Sequence, residues 1–398
     1  MGQTPYKSFL RNYYLAGSLY DCIFAYAMYT VLFQLRGLSV LQISMLLAIW
    51  SVFAIAFEIP TGGLADSWSR RRMLIIAPLV KALCFLTWLF ADGHFYMYVL
   101  GFGFWSLGSS FVSGTSEALL YDTLVHFGKS EEYERVLGRM HFYYNIALGV
   151  ACISGGFMAA LNLNLPLIAS IIPLILSSIF FSRIREVPKA GSTDETHYLQ
   201  HIKAAMGEMR TNRTLLYIGI YLWGIYTVFG TLEEYDQLYY KLVGLPIAAF
   251  GVVGFIVSML VAWSSSHAYR LRGSRWVFFA FPAAGGCLLL LVGRFHSMPM
   301  LALLCLSYAL IAPVRVLIES RIQRSIRSMS RATVTSTISF MLDLFGFGFP
   351  MVLGVISRIW DFQAIYLSSG LFLLIFALWA FVVRARVNGE TVSKERGS

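Results

Sequence analysis

Apolar residues run along the chain in long blocks, separated by short polar and often basic intervals. A helix needs about 20 mostly apolar residues to cross the hydrocarbon of a bilayer. Twelve stretches meet that length, at about 9–34, 40–65, 72–91, 95–125, 136–160, 164–183, 214–241, 246–269, 275–293, 298–320, 332–357 and 361–383. The pattern predicts an all-α polytopic membrane protein with twelve transmembrane helices. The longest polar interval, 184–213, divides them six and six. The expected domains are a bundle over 1–190, a cytoplasmic linker over 191–212 and a second bundle over 213–398. Within the interval Leu199, Ile202, Met206 and Met209 recur at helical spacing among Lys203, Glu208 and Arg210, which predicts a short helix lying in the membrane interface. His197 and His201 stand four apart, but with no further ligand pattern they read as part of a solvated linker.

Lysine and arginine set the orientation. Of the 31 basic residues, 25 fall in alternate intervals, on the side of Lys7 and Arg11. Arg36, Lys241, Arg294 and Arg358 fall on the other side, and Lys81 and Arg315 lie within spans. Both termini are therefore expected to be cytoplasmic, in a bacterial inner membrane, which requires an even number of spans. Lys7 and Arg11 precede a long apolar stretch without a cleavage site, so the first span reads as a signal anchor. Asn212-Arg213-Thr214 is a glycosylation sequon by pattern only, since it falls on the cytoplasmic side.

Composition agrees with this picture. Of 398 residues, 58% are hydrophobic and 13% charged, about half the charged share of an average soluble domain. The net charge of +10 sits in clusters between apolar runs, so no nucleic-acid partner is expected. Cys22, Cys84, Cys152, Cys287 and Cys305 all lie inside apolar runs without a CxxC spacing, which suggests neither a disulfide framework nor a metal site. No cofactor is expected, and no GxxxxGK[ST] loop is present to drive an ATP pump within this chain.

The halves carry matching features. Gly37-Leu38-Ser39 leads into span 2 and Gly244-Leu245-Pro246 into span 8, 207 residues later. The basic cluster after span 2 recurs after span 8 as Arg270, Arg272 and Arg275, and Glu117 in span 4 has Glu319 as its counterpart in span 10. Together these indicate an internal duplication, a common signature of secondary transporters.

The most specific segment runs from Phe57 to Arg72, FEIPTGGLADSWSRRR. It resembles the signature loop of the major facilitator superfamily, with Gly62, Leu64, Asp66, Arg70 and Arg71 filling the pattern and Ser67 and Ser69 replacing a basic residue and a second glycine. Gly62 and Gly63 permit close helix approach, and Arg70 or Arg71 is placed to pair with Asp122 at the same end of span 4. The resemblance implies that Asp66 accepts hydrogen bonds at the start of span 11 near Arg331, completing a gating latch between the halves. The stretch SGTSEALLYDTL, 113–124, is similar to one found in a bacterial branch of the same superfamily. Two other family patterns are missing. No arginine lies between Gly101 and Ser116, and the span-5 glycine motif is reduced to Gly149 with Gly155-Gly156.

Ionisable residues inside spans cost about 2.5–3.5 kcal/mol each at the bilayer centre, which makes them functional candidates. Asp21, near the middle of span 1, is the leading proton or substrate site. Glu117, Asp343, Arg315 and Glu233 follow. Glu58 is read as a gate hydrogen-bonding group, Asp236 as reaching the outer headgroups, and Lys81 as snorkelling. Tyr26, Tyr144, Tyr226 and Tyr308 are expected to line a cavity with the carboxylates. Such a lining suits an amphipathic organic molecule better than a phosphorylated one, for which an arginine clamp is missing. The chain is thus expected to be a monomeric proton-coupled secondary active transporter that exports a small amphipathic compound across the lipid bilayer by alternating access. The alternatives are uptake by symport or facilitated diffusion, an intramembrane enzyme, and a non-transporting receptor. Of the last two, the enzyme wants clustered His or Asp in the spans and the receptor an output domain, where the tail after span 12 is only about 14 residues.

Overall fold

The computed structural model describes residues 3–113, 115–187, 213–271, 274, 276–325 and 347–395. The predicted interfacial helix, His197, His201, Arg331 and Asp343 lie outside these residues. The chain forms two compact units, Met1–Leu199 with Pro246–Phe255 and Gln200–Leu245 with Ile256–Ser398.

In the first unit the order is α1 (Gln3–Tyr20), a 3-10 turn (Phe24–Ala27), α2 (Tyr29–Leu35), α3 (Val40–Ser67), α4 (Arg70–Leu89), α5 (Phe95–Val112), α6 (Thr115–His126), α7 (Tyr133–Leu161) and α8 (Leu165–Ser182). There follow α9 (Arg213–Leu242), α10 (Phe250–Ser266), α11 (Val277–Phe295), α12 (Met300–Ser325), α13 (Gly348–Ile359) and α14 (Ala364–Glu395). Among the described residues ten helical stretches are long and apolar enough to cross a membrane. They coincide with predicted spans 1–6, 8–10 and 12. The predicted seventh span coincides with α9, and the end of the eleventh with α13.

The two Gly-Leu turns are built alike. Gly37 and Gly244 have φ of 95° and 81°, a left-handed conformation that glycine adopts without a Cβ penalty. Gly37 N–H bonds Gln34 O and Leu38 N–H bonds Phe33 O; Gly244 N–H bonds Lys241 O and Leu245 N–H bonds Tyr240 O. Both are Schellman caps, which satisfy the last carbonyls of a helix. Ser39 then caps α3 with a full capping box to Gln42, while Pro246 opens a 3-10 turn, Ile247–Ala249.

Three local structures differ from the sequence expectation. The interval expected between spans 2 and 3, about 66–71, is shorter: α3 runs through Ser67, and only Trp68 and Ser69 separate it from α4. Span 4 is divided between α5 and α6, where Ser113 N–H closes on Ser109 O at 2.9 Å and Thr115 N–H on Ser113 O at 2.8 Å. Span 1 stops at Tyr20 and resumes as a 3-10 turn.

Serines of α8 stitch the first unit. Ser177 Oγ donates to Ala16 O and Ser178 Oγ to Ile75 O, both at 2.7 Å. Beyond the break in span 1 the core is aromatic, with Tyr29, Phe33, Trp88, Phe102 and Trp105 in mutual ring contact.

Candidate functional site

The break in span 1 positions the leading candidate. Between Leu19 and Ala27 there is neither glycine nor proline, so the break is held by what surrounds it. Ser170 Oγ on α8 donates to Pro166 O at 2.6 Å and accepts the buried Ala25 N–H at 3.1 Å. That hydroxyl supplies the acceptor a continuous helix would have given to Ala25. From α7, Gly155 abuts the Phe24 carbonyl so closely that any Cβ there would collide with it. The next residue, Gly156, faces the Ile247 and Ala248 carbonyls, which is how Pro246–Phe255 joins the first unit. Gly155-Gly156, read from sequence as the remnant of a motif, thus makes room for two irregular backbones.

Asp21 stands at the break. Its Oδ1 lies 2.9 Å from Lys81 Nζ on α4. The Lys81 side chain is 2% exposed and that of Asp21 25%. This corrects the expectation that Lys81 snorkels: the ammonium is enclosed, over the rings of Tyr20 at 4.1 Å, Trp105 at 5.3 Å and Tyr26 at 5.9 Å. The physical reason is that α4 turns this position toward α1 and α5, where a carboxylate and three aromatic faces replace water. Tyr26 is half-buried against Trp105, with ring centroids 5.2 Å apart.

The basic end of the first unit holds a second cluster. Arg70 pairs with Asp122, and their side chains are 10% and 9% exposed. Ser69 caps α4 by accepting Arg72 N–H at 3.2 Å. Glu186, which sequence reasoning missed, accepts Arg70 N–H at 2.8 Å and the Ser69 hydroxyl, a carboxylate at the positive end of a helix. Arg71 donates to Ser182 O. The turn between α3 and α4, α6 and the end of α8 are thereby tied together inside one unit. Gly62 and Asp66 fall in the last two turns of α3, and the Asp66 side chain is outside the described structure. Glu117 is exposed in the first turn of α6, Glu58 is half-buried on α3 and Tyr144 half-buried on α7.

In the second unit Arg315 stacks on Tyr226, its guanidinium carbon 3.8 Å from the ring centroid. Exposed Glu233 is within electrostatic reach of Arg315. Asp236 does not extend to headgroups: it is 5% exposed and accepts the hydroxyls of Tyr308 at 2.7 Å and Tyr366 at 2.9 Å. Two neutral donors from α12 and α14 take the place of water, so this carboxylate is retained inside. Tyr308, expected in a cavity lining, is occupied by that bond. Among the described residues no three His, Cys, Asp or Glu gather as metal ligands would.

Among curated proteins no relative matches the chain. Solved transporter structures match along nearly its whole length. A nucleoside transporter gives a TM-score of 0.75 at 12% identity, covering 96% of this chain and 99% of its own. A bacterial homologue of the human lysosomal transporter Spinster, inward-facing and unoccupied, gives 0.76 at 14% over 96% and 97%. A D-xylose-proton symporter gives 0.73 at 15% over 95% and 97%. At these identities the likeness establishes the all-helical transporter fold. The sequence profile of the Major Facilitator Superfamily matches residues 14–350, and with the fold it places the chain in that family, as an integral membrane transporter and not an enzyme.

Proposed function

We propose that this transporter moves a small amphipathic organic compound in exchange for protons, by alternating access, with Asp21 as the coupling carboxylate. The observation that carries the reading is the Asp21–Lys81 pair at the break in span 1, with the acid partly open and the base enclosed. A proton arriving on Asp21 cancels the charge that holds Lys81 and frees α1 from α4. Its departure restores the pair, so one group links proton movement to a change in packing. Arg315 with Tyr226, Glu117, Glu233, Tyr144 and Asp343 remain substrate-side candidates. We read Gly62, Asp66, Arg70, Arg71 and Asp122 as the gate, supported by the buried Arg70–Asp122 pair beside the end of α3. The matching Gly37 and Gly244 caps support a duplication relating 1–190 to 213–398. The asymmetry of Lys and Arg supports an inner-membrane protein with both termini cytoplasmic.

Reconstitution into liposomes enclosing a pH-sensitive dye tests this reading. Addition of a transported compound moves protons, and the sign of the internal pH change separates export by antiport, our reading, from uptake by symport. Asp21→Asn, nearly isosteric but unable to ionise, abolishes gradient-driven accumulation. Full gradient-driven transport by this variant would overturn the role.

A further inference from the structure

We propose that the transported compound carries a protonated primary or secondary amine, which binds by competing with Lys81 for Asp21. This rests on the reading of Asp21 as the working carboxylate and names the substrate class of that site. Three observations point to it. First, the pair is asymmetric: Lys81 presents 2% of its side chain and Asp21 25%. A ligand therefore meets the acid and not the base, so an anionic group finds no reachable partner. Second, α1 ends at Tyr20; Leu19 O accepts the Cys22 N–H, but no following helical turn continues the ladder, so the carbonyl end of the helix faces the break. Its carbonyls add negative potential beside the carboxylate and offer acceptors to N–H groups, which a quaternary ammonium lacks. Third, Lys81 is seated over Tyr20, Trp105 and Tyr26. Those faces still hold its ammonium when Asp21 turns to another cation, and half-buried Tyr26 offers apolar surface beside the acid to the body of the ligand.

An internal competitor has an unusual consequence. Removing the base strengthens ligand binding. The test uses the full chain in lipid nanodiscs at neutral pH without a gradient, and titrates phenethylamine, 2-phenylethanol and phenylacetate, which share a body and differ in charge. Phenethylamine binds about tenfold or more tightly than the alcohol, and phenylacetate more weakly than both. Lys81→Met raises amine affinity by about tenfold and leaves the alcohol unchanged. Asp21→Asn makes amine and alcohol equal. Because a lone buried charge can prevent folding, the double variant Asp21→Asn with Lys81→Met is the folded control, and in it the amine preference is gone. Equal binding of amine and alcohol by the unmodified chain, no amine binding up to about 10 mM, or an amine preference that survives in the double variant would each overturn the proposal. Proton coupling is read separately in liposomes, so its failure there leaves a measured amine preference standing.

Discussion

Arg70 on α4 and Asp122 on α6 form an ion pair in which each side chain is about nine-tenths buried. Removing one partner of a buried pair leaves the other charge uncompensated at a cost of about 3–5 kcal/mol, whereas replacing both with apolar groups is often close to neutral. Asp122→Leu is therefore expected to lower the melting temperature in detergent sharply, and Arg70→Met combined with Asp122→Leu to recover most of the loss. If the double variant is no more stable than the single one, the pair is not what holds α4 to α6.

Asp236 in the second unit has no described basic side chain bonded to it; two tyrosine hydroxyls hold it instead. Hydrogen bonds to a charged group contribute about 1.5–3 kcal/mol each. Tyr308→Phe and Tyr366→Phe are each expected to destabilise by about that amount. In a double-mutant cycle the two should be non-additive, because they share one acceptor. Strict additivity in thermal unfolding would show that the hydroxyls act independently of Asp236.

The spans were legible because a bilayer imposes their length, and the Gly37 and Gly244 turns because a left-handed cap favours glycine. Arg70 and Asp122 were legible as partners because opposite charges flank the same end of two predicted helices. The break at Asp21 was not, since no local residue between Leu19 and Ala27 demands it. It depends on Ser170 and Gly155, more than 130 residues away in the chain. Lys81 and Asp236 were misplaced for a common reason. Position along a span fixes depth but not which neighbours supply aromatic faces or hydroxyls, and those neighbours decide whether a charge stays inside.

Two glycines of α7 separate close packing from helix propensity. A Cβ at Gly155 would collide with the Phe24 carbonyl, whereas one at Gly138 meets nothing within 4 Å. Gly155→Ala is expected to cost about 1–3 kcal/mol or more by overpacking and to impair transport, since the displaced backbone is that of the break. Gly138→Ala is expected to be neutral or to stabilise by up to about 1 kcal/mol through helix propensity. Melting and uptake curves for the pair check both directions, and a Gly155→Ala protein indistinguishable from the parent would show that α7 does not shape span 1.

Ser170 provides the finest test of how the break is held. Its hydroxyl is the acceptor for a buried backbone N–H, that of Ala25, at 3.1 Å. Ser170→Ala leaves that donor unpaired where water is excluded, at an expected cost of about 1–3 kcal/mol. Ser177, seven residues along the same helix, donates to Ala16 O, a carbonyl inside α1 that the helix itself satisfies. Ser177→Ala should therefore cost less, although the two serines are equally buried. The readout that separates a specific cap from general packing is amide hydrogen exchange, which Ser170→Ala should accelerate at Ala25 and its 3-10 turn while Ser177→Ala does not. Ser170→Thr keeps the hydroxyl and should restore slow exchange. Equal effects of the two alanine substitutions at Ala25 would mean that the 3-10 turn is held by the packing of α7 alone, and the role assigned to Ser170 would fall.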